Sequence, residues 1–326
     1  MDAAQVVVVG SYNQDYAWRI DVAPQAGETR RGDSFRSAPG GKGLNQAIAC
    51  ARQGVATAFV GAIGDDAAGR GAQELAKREH IDAHWLVRSD VATGSACIVV
   101  EGNGQNRIIV ALGANERLDA DFVRAQASVF AHSRVLLAQL ENNIEATRAA
   151  FELATAHGLI RILNPAPVHA QLDAALLALV DILTPNETEF ALLLDRIAGE
   201  RVDAATLAQR GDDELHALAR KLGDASIVVT LGAHGCFVSH GDRERRGDAR
   251  SHYRVDAETA TAIDTTGAGD AFCGALAAGL PRMAEQPFRD VVAHANRCAA
   301  LSTEARGAAD AMQSLDTVKA RFGEAF

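Results

Sequence analysis

Residues 56–79 read ATAFVGAIGDDAAGRGAQELAKRE, and the two halves of that stretch follow different periods. Residues 56–64 are apolar or small without a break and end on Gly64, as a strand buried on both faces does. From Ala67 onward the pattern is that of an amphipathic helix. The same alternation repeats along the chain. VVVVG (6–10), RVLLAQLE (134–141), LIRILNPAP (159–167), VDILTPNE (180–187) and SIVVTLGAHG (226–235) read as buried strands, each closed by Gly, Pro, Asn or Glu. LNQAIACARQG, EATRAAFELATAHG and DELHALARKLG supply helices between them. This order predicts an α/β fold: a three-layer sandwich with a mostly parallel central sheet and helices on both faces.

Two stretches break the alternation. Residues 16–41 alternate weakly and contain no helical pattern, and residues 94–113 read as a hairpin around GNGQN, with Gly102, Asn103 and Gly104 suited to positive φ. Together they predict a small antiparallel sheet beside the main one. With no internal repeat and no linker-like segment, the expectation is one domain over 1–326 carrying a lid from about 12–40 and 94–113.

The chain has 326 residues, 48% hydrophobic and 23% charged, with a formal net charge of −10. That charge argues against nucleic acid or an anionic membrane as the main partner. The nearest approach to a basic patch is Arg243, Glu244, Arg245 and Arg246. Five cysteines are scattered with no C-x-x-C pair, which suits reduced thiols acting as small core residues. MDAAQ (1–5) leads into VVVVG without a signal-peptide pattern, and no apolar run approaches the roughly 20 residues of a membrane helix. The expected location is cytoplasmic.

Ligands of an open parallel sheet sit at the carboxyl ends of its strands. Polar residues following apolar runs therefore matter most: GSYNQD (10–15), QLE ending at Glu141, NPAP (164–167), TPNETE (184–189) and TLGAHG (230–235). AIDTTGAGDAFCGAL (262–276) adds Gly267, Ala268 and Gly269 directly before a helix, and such a start offers free amides to an anion. Asp270 beside that anion would be repelled unless it is there to take a proton, the layout of phosphoryl transfer. The plainer alternative is a helix cap on a tight turn. Walker-type and G-x-G-x-x-G loops are absent, as is any H-E-x-x-H or Cys/His zinc spacing. GGKG (40–43) could hold a phosphate or make a close backbone approach.

GSYNQD, GGKGLNQA, NPAP, TPNETE, TLGAHG and IDTTGAGDAF stand in the order and spacing of the ribokinase-like sugar kinases, and the resemblance runs from about residue 5 to about 320. It implies the fold of that family and an ATP- and magnesium-dependent kinase acting on the 5-hydroxyl of ribose. Asp270 would be the general base, with Gly267, Ala268 and Gly269 as the anion hole. Asn13, Asp15, Gly41, Lys42, Asn45, Ile98 and Glu141 match sugar-binding positions; Asn186, Thr230, Gly232, Gly235, Gly269 and Asn296 match nucleotide contacts. Asn186 and Glu189 match the pair that positions magnesium, largely through water. A potassium site is implied at Asp264, Thr266, Ser302, Ala305 and Gly307. There the chain departs from the pattern, because TEARGAADAMQ (303–313) has Ala305 at the usual Arg position and Ala311 at the usual Ser position.

Some residues also carry structural readings. Asn186 could be a helix N-cap, Asn164 a strand-end turn, and Ala96 and Ile98 plain sheet packing. Other substrates compete with ribose: deoxyribose, fructose, adenosine, or a keto-deoxy sugar acid, for which Arg19, Arg30, Arg31 and Arg36 are candidate partners. A silent sugar-binding regulator and a dinucleotide oxidoreductase are the readings from other classes. The lid is expected to close over the sugar, and its sheet edges make a homodimer plausible.

Overall fold

The computed structural model describes residues 4–103, 105–242 and 245–323. Gly104 of the expected hairpin turn, and Arg243 and Glu244 of the expected basic run, lie outside the described residues. Among the described residues, thirteen strands form two sheets: β1 (Val6–Val9), β2 (Asn13–Ile20), β3 (Ser34–Gly40), β4 (Thr57–Gly64), β5 (Asp82–Arg88), β6 (Gly94–Glu101), β7 (Asn106–Ala111), β8 (Val135–Ala138), β9 (Ile160–Leu163), β10 (Ile182–Leu183), β11 (Ser226–Thr230), β12 (Cys236–Ser239) and β13 (His252–Val255).

The main sheet has nine strands in the order β13-β12-β11-β10-β9-β8-β1-β4-β5. All its pairs are parallel except β11·β12 and β12·β13 at one edge. Strand β4 is buried at every residue, as its unbroken apolar run predicts. The next helix, Ala67–Arg78, starts where the Asp66 side chain accepts from the Gly69 amide at 2.8 Å. Successive side chains of β1 point to opposite faces: Val6 and Val8 join one core, Val7 and Val9 the other. Helices cover both faces, which is the expected three-layer arrangement.

Residues 16–41 and 94–113 supply the second sheet, ordered β3-β2-β6-β7. Its outer pairs are antiparallel as expected, whereas the central β2·β6 pair runs parallel. β2 follows β1 and β6 follows β5, two parallel strands of the main sheet with β4 between them, and the two run side by side in one direction. Near the hairpin turn, the Asn103 side chain accepts from the Gln105 amide at 2.9 Å, and neither Gly102 nor Asn103 takes a positive φ.

The chain runs from β1 to β4 and β5 on one side, then returns to place β8 on the other side of β1. The strand order reverses there, so a crevice opens between the carboxyl ends of β1 and β8. Two helices roof it, Lys42–Arg52 and Ala268–Arg282. They cross closely because Gly274 has no side chain; a Cβ there would lie 2.4 Å from Ala49 Cβ and 2.5 Å from the Gln46 carbonyl. Among the described residues, no helix is long and apolar enough to cross a membrane.

Candidate active site

Strand β8 stops at Ala138, leaving Gln139, Leu140 and Glu141 to turn into the crevice. The buried Glu141 carboxylate accepts from the Ser11 hydroxyl beyond β1 and, at 3.0 Å, from the Lys42 amide. It therefore ties both sides of the strand-order reversal to the GGKG turn. Asn13 is buried, and its Oδ1 accepts from Asn115 Nδ2 at 3.0 Å. Asp15 lies against Gly40, where a Cβ would stand 2.3 Å from its Oδ2. Burial, then the carboxylates of Glu141 and Asp270, push the Asp15 carboxyl up to about 6. Lys42 is half-buried. Burial acts to lower its ammonium, but Asp270, Glu141 and Glu189 outweigh that and hold it above its ordinary value.

Asp270 is not a helix cap. The N-cap is Gly267, at φ 78°, and Asp270 is the third helical residue, buried with its carboxylate turned inward. One oxygen accepts from Asn45 Nδ2 and the other from Gln46 Nε2, each at 2.9 Å. Gly267 is needed at its φ, and a Cβ there would sit 3.0 Å from Ala308 Cα. The Ala268 amide donates to the Thr265 carbonyl at 3.2 Å, a bond it would have to share to serve a phosphate.

A groove of about 610 Å³ runs from Gly269 along the carboxyl ends of β10 and β11, a volume suited to a small ligand. Its lining includes Asn186, Thr230, Gly232, Gly235, Gly269 and Asn296. Asn186 and Thr230 are bridged neighbours at those strand ends. Asn186 is indeed an N-cap: it accepts from the Glu189 amide at 2.8 Å, and Glu189 accepts from the Asn186 amide at 3.0 Å, closing a capping box. Asn296 donates to the Asp256 carbonyl at 2.6 Å.

The residues around Glu189 fit magnesium in the restricted way expected of that ion. One Glu189 oxygen remains outside the capping box, so a carboxylate oxygen is left for an ion that keeps most of its waters. The potassium positions fit less well. Asp264 spends its two oxygens on the amides of Thr266 and Gly307, each at 3.0 Å. Burial opposes its ionisation, but those bonds and the charge of Arg36 hold its carboxyl below the ordinary range. The Arg36 guanidinium pairs with Asp310 at 2.9 Å and lies so close to Gly307 that a Cβ there would meet Nη2 at 2.9 Å. A cationic side chain thus already faces this loop. Ser302 turns its hydroxyl to the Ala299 carbonyl, and the Ala305 amide donates back to Ser302 O at 3.3 Å.

Opposed residues of a sheet share a face. Asp15, Ala96, Ile98, Arg36 and Val110 therefore lie on one face of the small sheet, and Tyr16, Trp18, Phe35, Cys97 and Ile109 on the other. Ala96 is buried and Ile98 half-buried, while Trp18, Phe35 and Ile109 are exposed. Three side chains escaped the sequence reading although they touch the site: Ser11, Gln46 and Gln139. Gln46 and Gln139 are neutral amides inside apolar patterns, and the quoted GGKGLNQA and QLE stretches contain them without singling either out.

Fold, crevice and groove together define a phosphotransferase, and the chain belongs to the pfkB family of carbohydrate kinases, whose family model matches residues 3–315. A ribokinase of Mus musculus is 36% identical over 307 residues, covering 94% of this chain and 91% of its own. Among solved structures, the ribokinase of Giardia lamblia superposes with a TM-score of 0.86 at 27% identity over 99% of both chains. The Arabidopsis thaliana ribokinase complexed with ribose and ATP gives 0.83 at 28% identity over 97% of both chains.

Proposed function

We infer that this chain is an ATP-dependent ribose kinase that transfers the γ-phosphate of ATP to the sugar 5-hydroxyl. The observation that carries the reading is Asp270: a buried carboxylate at a helix start, fixed by two amide donors, between an acidic crevice and a groove of nucleotide size. In the proposed reaction one Asp270 oxygen accepts the hydroxyl proton as the new O–P bond forms. The bond from the γ-phosphorus to the bridging oxygen breaks, and ADP leaves with that electron pair. Amides at Gly267, Ala268 and Gly269 would meet the charge spread over the transferring group. Magnesium, when bound with ATP, would neutralise phosphate charge near Asn186 and Glu189. Lys42 adds a positive charge within the field of Asp270, Glu141 and Glu189.

Asn13, Asp15, Gly41, Asn45, Ile98 and Glu141 would hold the sugar, whose hydroxyls both donate and accept. Two carboxylates in the crevice favour a neutral polyol over a sugar acid. Arg36, an arginine on the Asp15 face, is paired with Asp310. Thr230, Gly232, Gly235 and Asn296 would line the nucleotide. The small sheet acts as a lid of one kinase domain, its Asp15 face closing over the sugar and excluding water. Its opposite face, with Trp18, Phe35 and Ile109 exposed, suits a second copy of the chain, so the protein would be a homodimer.

The test is ADP release from ATP and magnesium with ribose, deoxyribose, fructose, adenosine and keto-deoxygluconate, each with potassium and with sodium. Turnover on ribose far above the others is expected. Turnover on another sugar would reassign the crevice residues. No turnover, with ribose binding seen by calorimetry, would make the chain a silent sugar-binding protein.

A further inference from the structure

Gln46 is fully buried, and every hydrogen-bonding atom of its side chain is used. Its Nε2 donates to Asp270 Oδ1 at 2.9 Å and to Asn164 Oδ1 at 3.1 Å, while its Oε1 accepts from Gln139 Nε2. The amide cannot be turned around, because its oxygen would then face two acceptors and its nitrogen a donor. Asn164 is oriented in turn by donating to the Thr184 carbonyl at 2.9 Å. Gln139 follows β8, Asn164 follows β9, and Thr184 follows β10. The position of one Asp270 oxygen is thus set by three adjacent strand ends of the main sheet.

Asn45 holds the other oxygen differently. It is also buried, but among the described residues its Oδ1 has no hydrogen-bond partner. One half of the clamp on Asp270 thus carries an amide oxygen without a partner, whereas both groups of the Gln46 amide are engaged.

Resting on the reading of Asp270 as base, we propose that Gln46 is the positioning residue that fixes the Asp270 carboxylate for proton abstraction, with Gln139 and Asn164 as its anchors. Each carboxylate oxygen has two lone pairs, so an amide bond to each still leaves room for the sugar proton. The amides also prevent the carboxylate from rotating away, and small misplacements of a reacting group cost large factors in rate.

The experiment compares full-length wild type, Gln46→Leu, Gln46→Glu and Asp270→Asn, measuring kcat at saturating ribose and ATP between about pH 5 and 9 and ribose binding by calorimetry. Gln46→Leu should lower kcat about tenfold or more while its ribose Kd stays within about threefold. Gln46→Glu keeps the shape but sets a second carboxylate against the first, and two such groups cannot both ionise freely. Its acid limb should therefore move to higher pH by about one unit or more. A uniform loss in Gln46→Glu with the limb unmoved would overturn the proposal, as would a Gln46→Leu kcat within about twofold of wild type. If Gln46→Leu fails to fold, the Gln46→Glu profile decides. Turnover retained by Asp270→Asn would remove the base reading itself. An inactive Asp270→Asn with an unmoved Gln46→Glu limb would remove only the role of Gln46.

Discussion

The crevice and the nucleotide groove meet at Asp270 and are built on opposite principles. In the crevice, Glu141, Asn13, Asn45, Gln46 and Asp270 are buried side chains, each already bonded to another part of the chain. The groove is lined largely by Gly, Ala and Thr, with few long side chains and much exposed backbone. A sugar presents hydroxyls in fixed directions, so its site must hold donors and acceptors in place before it arrives, in surroundings where each bond is strong. A phosphate chain and a flat base can be met by backbone amides, glycine clearance and a helix start. Removing atoms should therefore damage the crevice, while adding atoms should damage the groove.

The largest expected effect lies where the two regions join. Asp270→Asn should cut kcat by about a hundredfold or more with ribose and ATP binding retained; near-normal turnover would break the comparison at its hinge. On the crevice side, Glu141→Ala removes the acceptor shared by Ser11 and the Lys42 amide. Losing such buried, charged hydrogen bonds should raise the ribose Kd by about 10- to 100-fold with the ATP KM unchanged, measured by calorimetry and initial rates. An equal rise in the ATP KM would mean the two halves are not separate. On the groove side, Gly269→Leu adds atoms where a Cβ meets nothing within 4 Å. It should fold normally and raise the ATP KM by about tenfold with ribose affinity kept.

The smallest effect concerns the acidity of the crevice. Asp15 titrates near 6 in the folded protein, above its ordinary 3.8, because burial and two carboxylates disfavour its charge. Between those values the folded chain keeps a proton that the unfolded chain has released, so this group's contribution to stability falls as pH rises through the window. Asp15→Asn has no charge to bury and should raise Tm by roughly 2–4 °C at pH 7.5, with little change near pH 4. Scanning calorimetry at both values tests this, and an equal shift at both would remove the pH linkage. The same variant should bind ribose more weakly above pH 6, so stability and affinity move in opposite directions.

Much of the fold was legible in local pattern. The unbroken apolar runs at β1, β4 and β11 mark strands buried on both faces, and the spacing between them follows the helical period of 3.6, signals that each segment carries by itself. Gly267 and Asp270 were legible for a related reason: glycines and a carboxylate before an apolar helix form a local anomaly that needs a chemical cause. Asn186 shows the limit of such reading, since one residue stands in a capping box and on the groove wall at once. The parallel β2·β6 pair was missed because strand direction depends on the path between segments some 80 residues apart in sequence rather than on their composition.

The chain by itself determined the layered α/β sheet, the polar strand ends and the acid placed at a glycine-led helix start, because these depend on neighbours a few residues away. Only the tertiary structure decided that Gln46 meets Asp270 across 224 residues, that Gln139 and Asn164 orient it, and that Arg36 faces the loop of Asp264. A buried neutral amide leaves no periodic trace in sequence. What it does is set by the partner that strand order and helix crossing bring within 3 Å, and that distance exists only after the layers have packed.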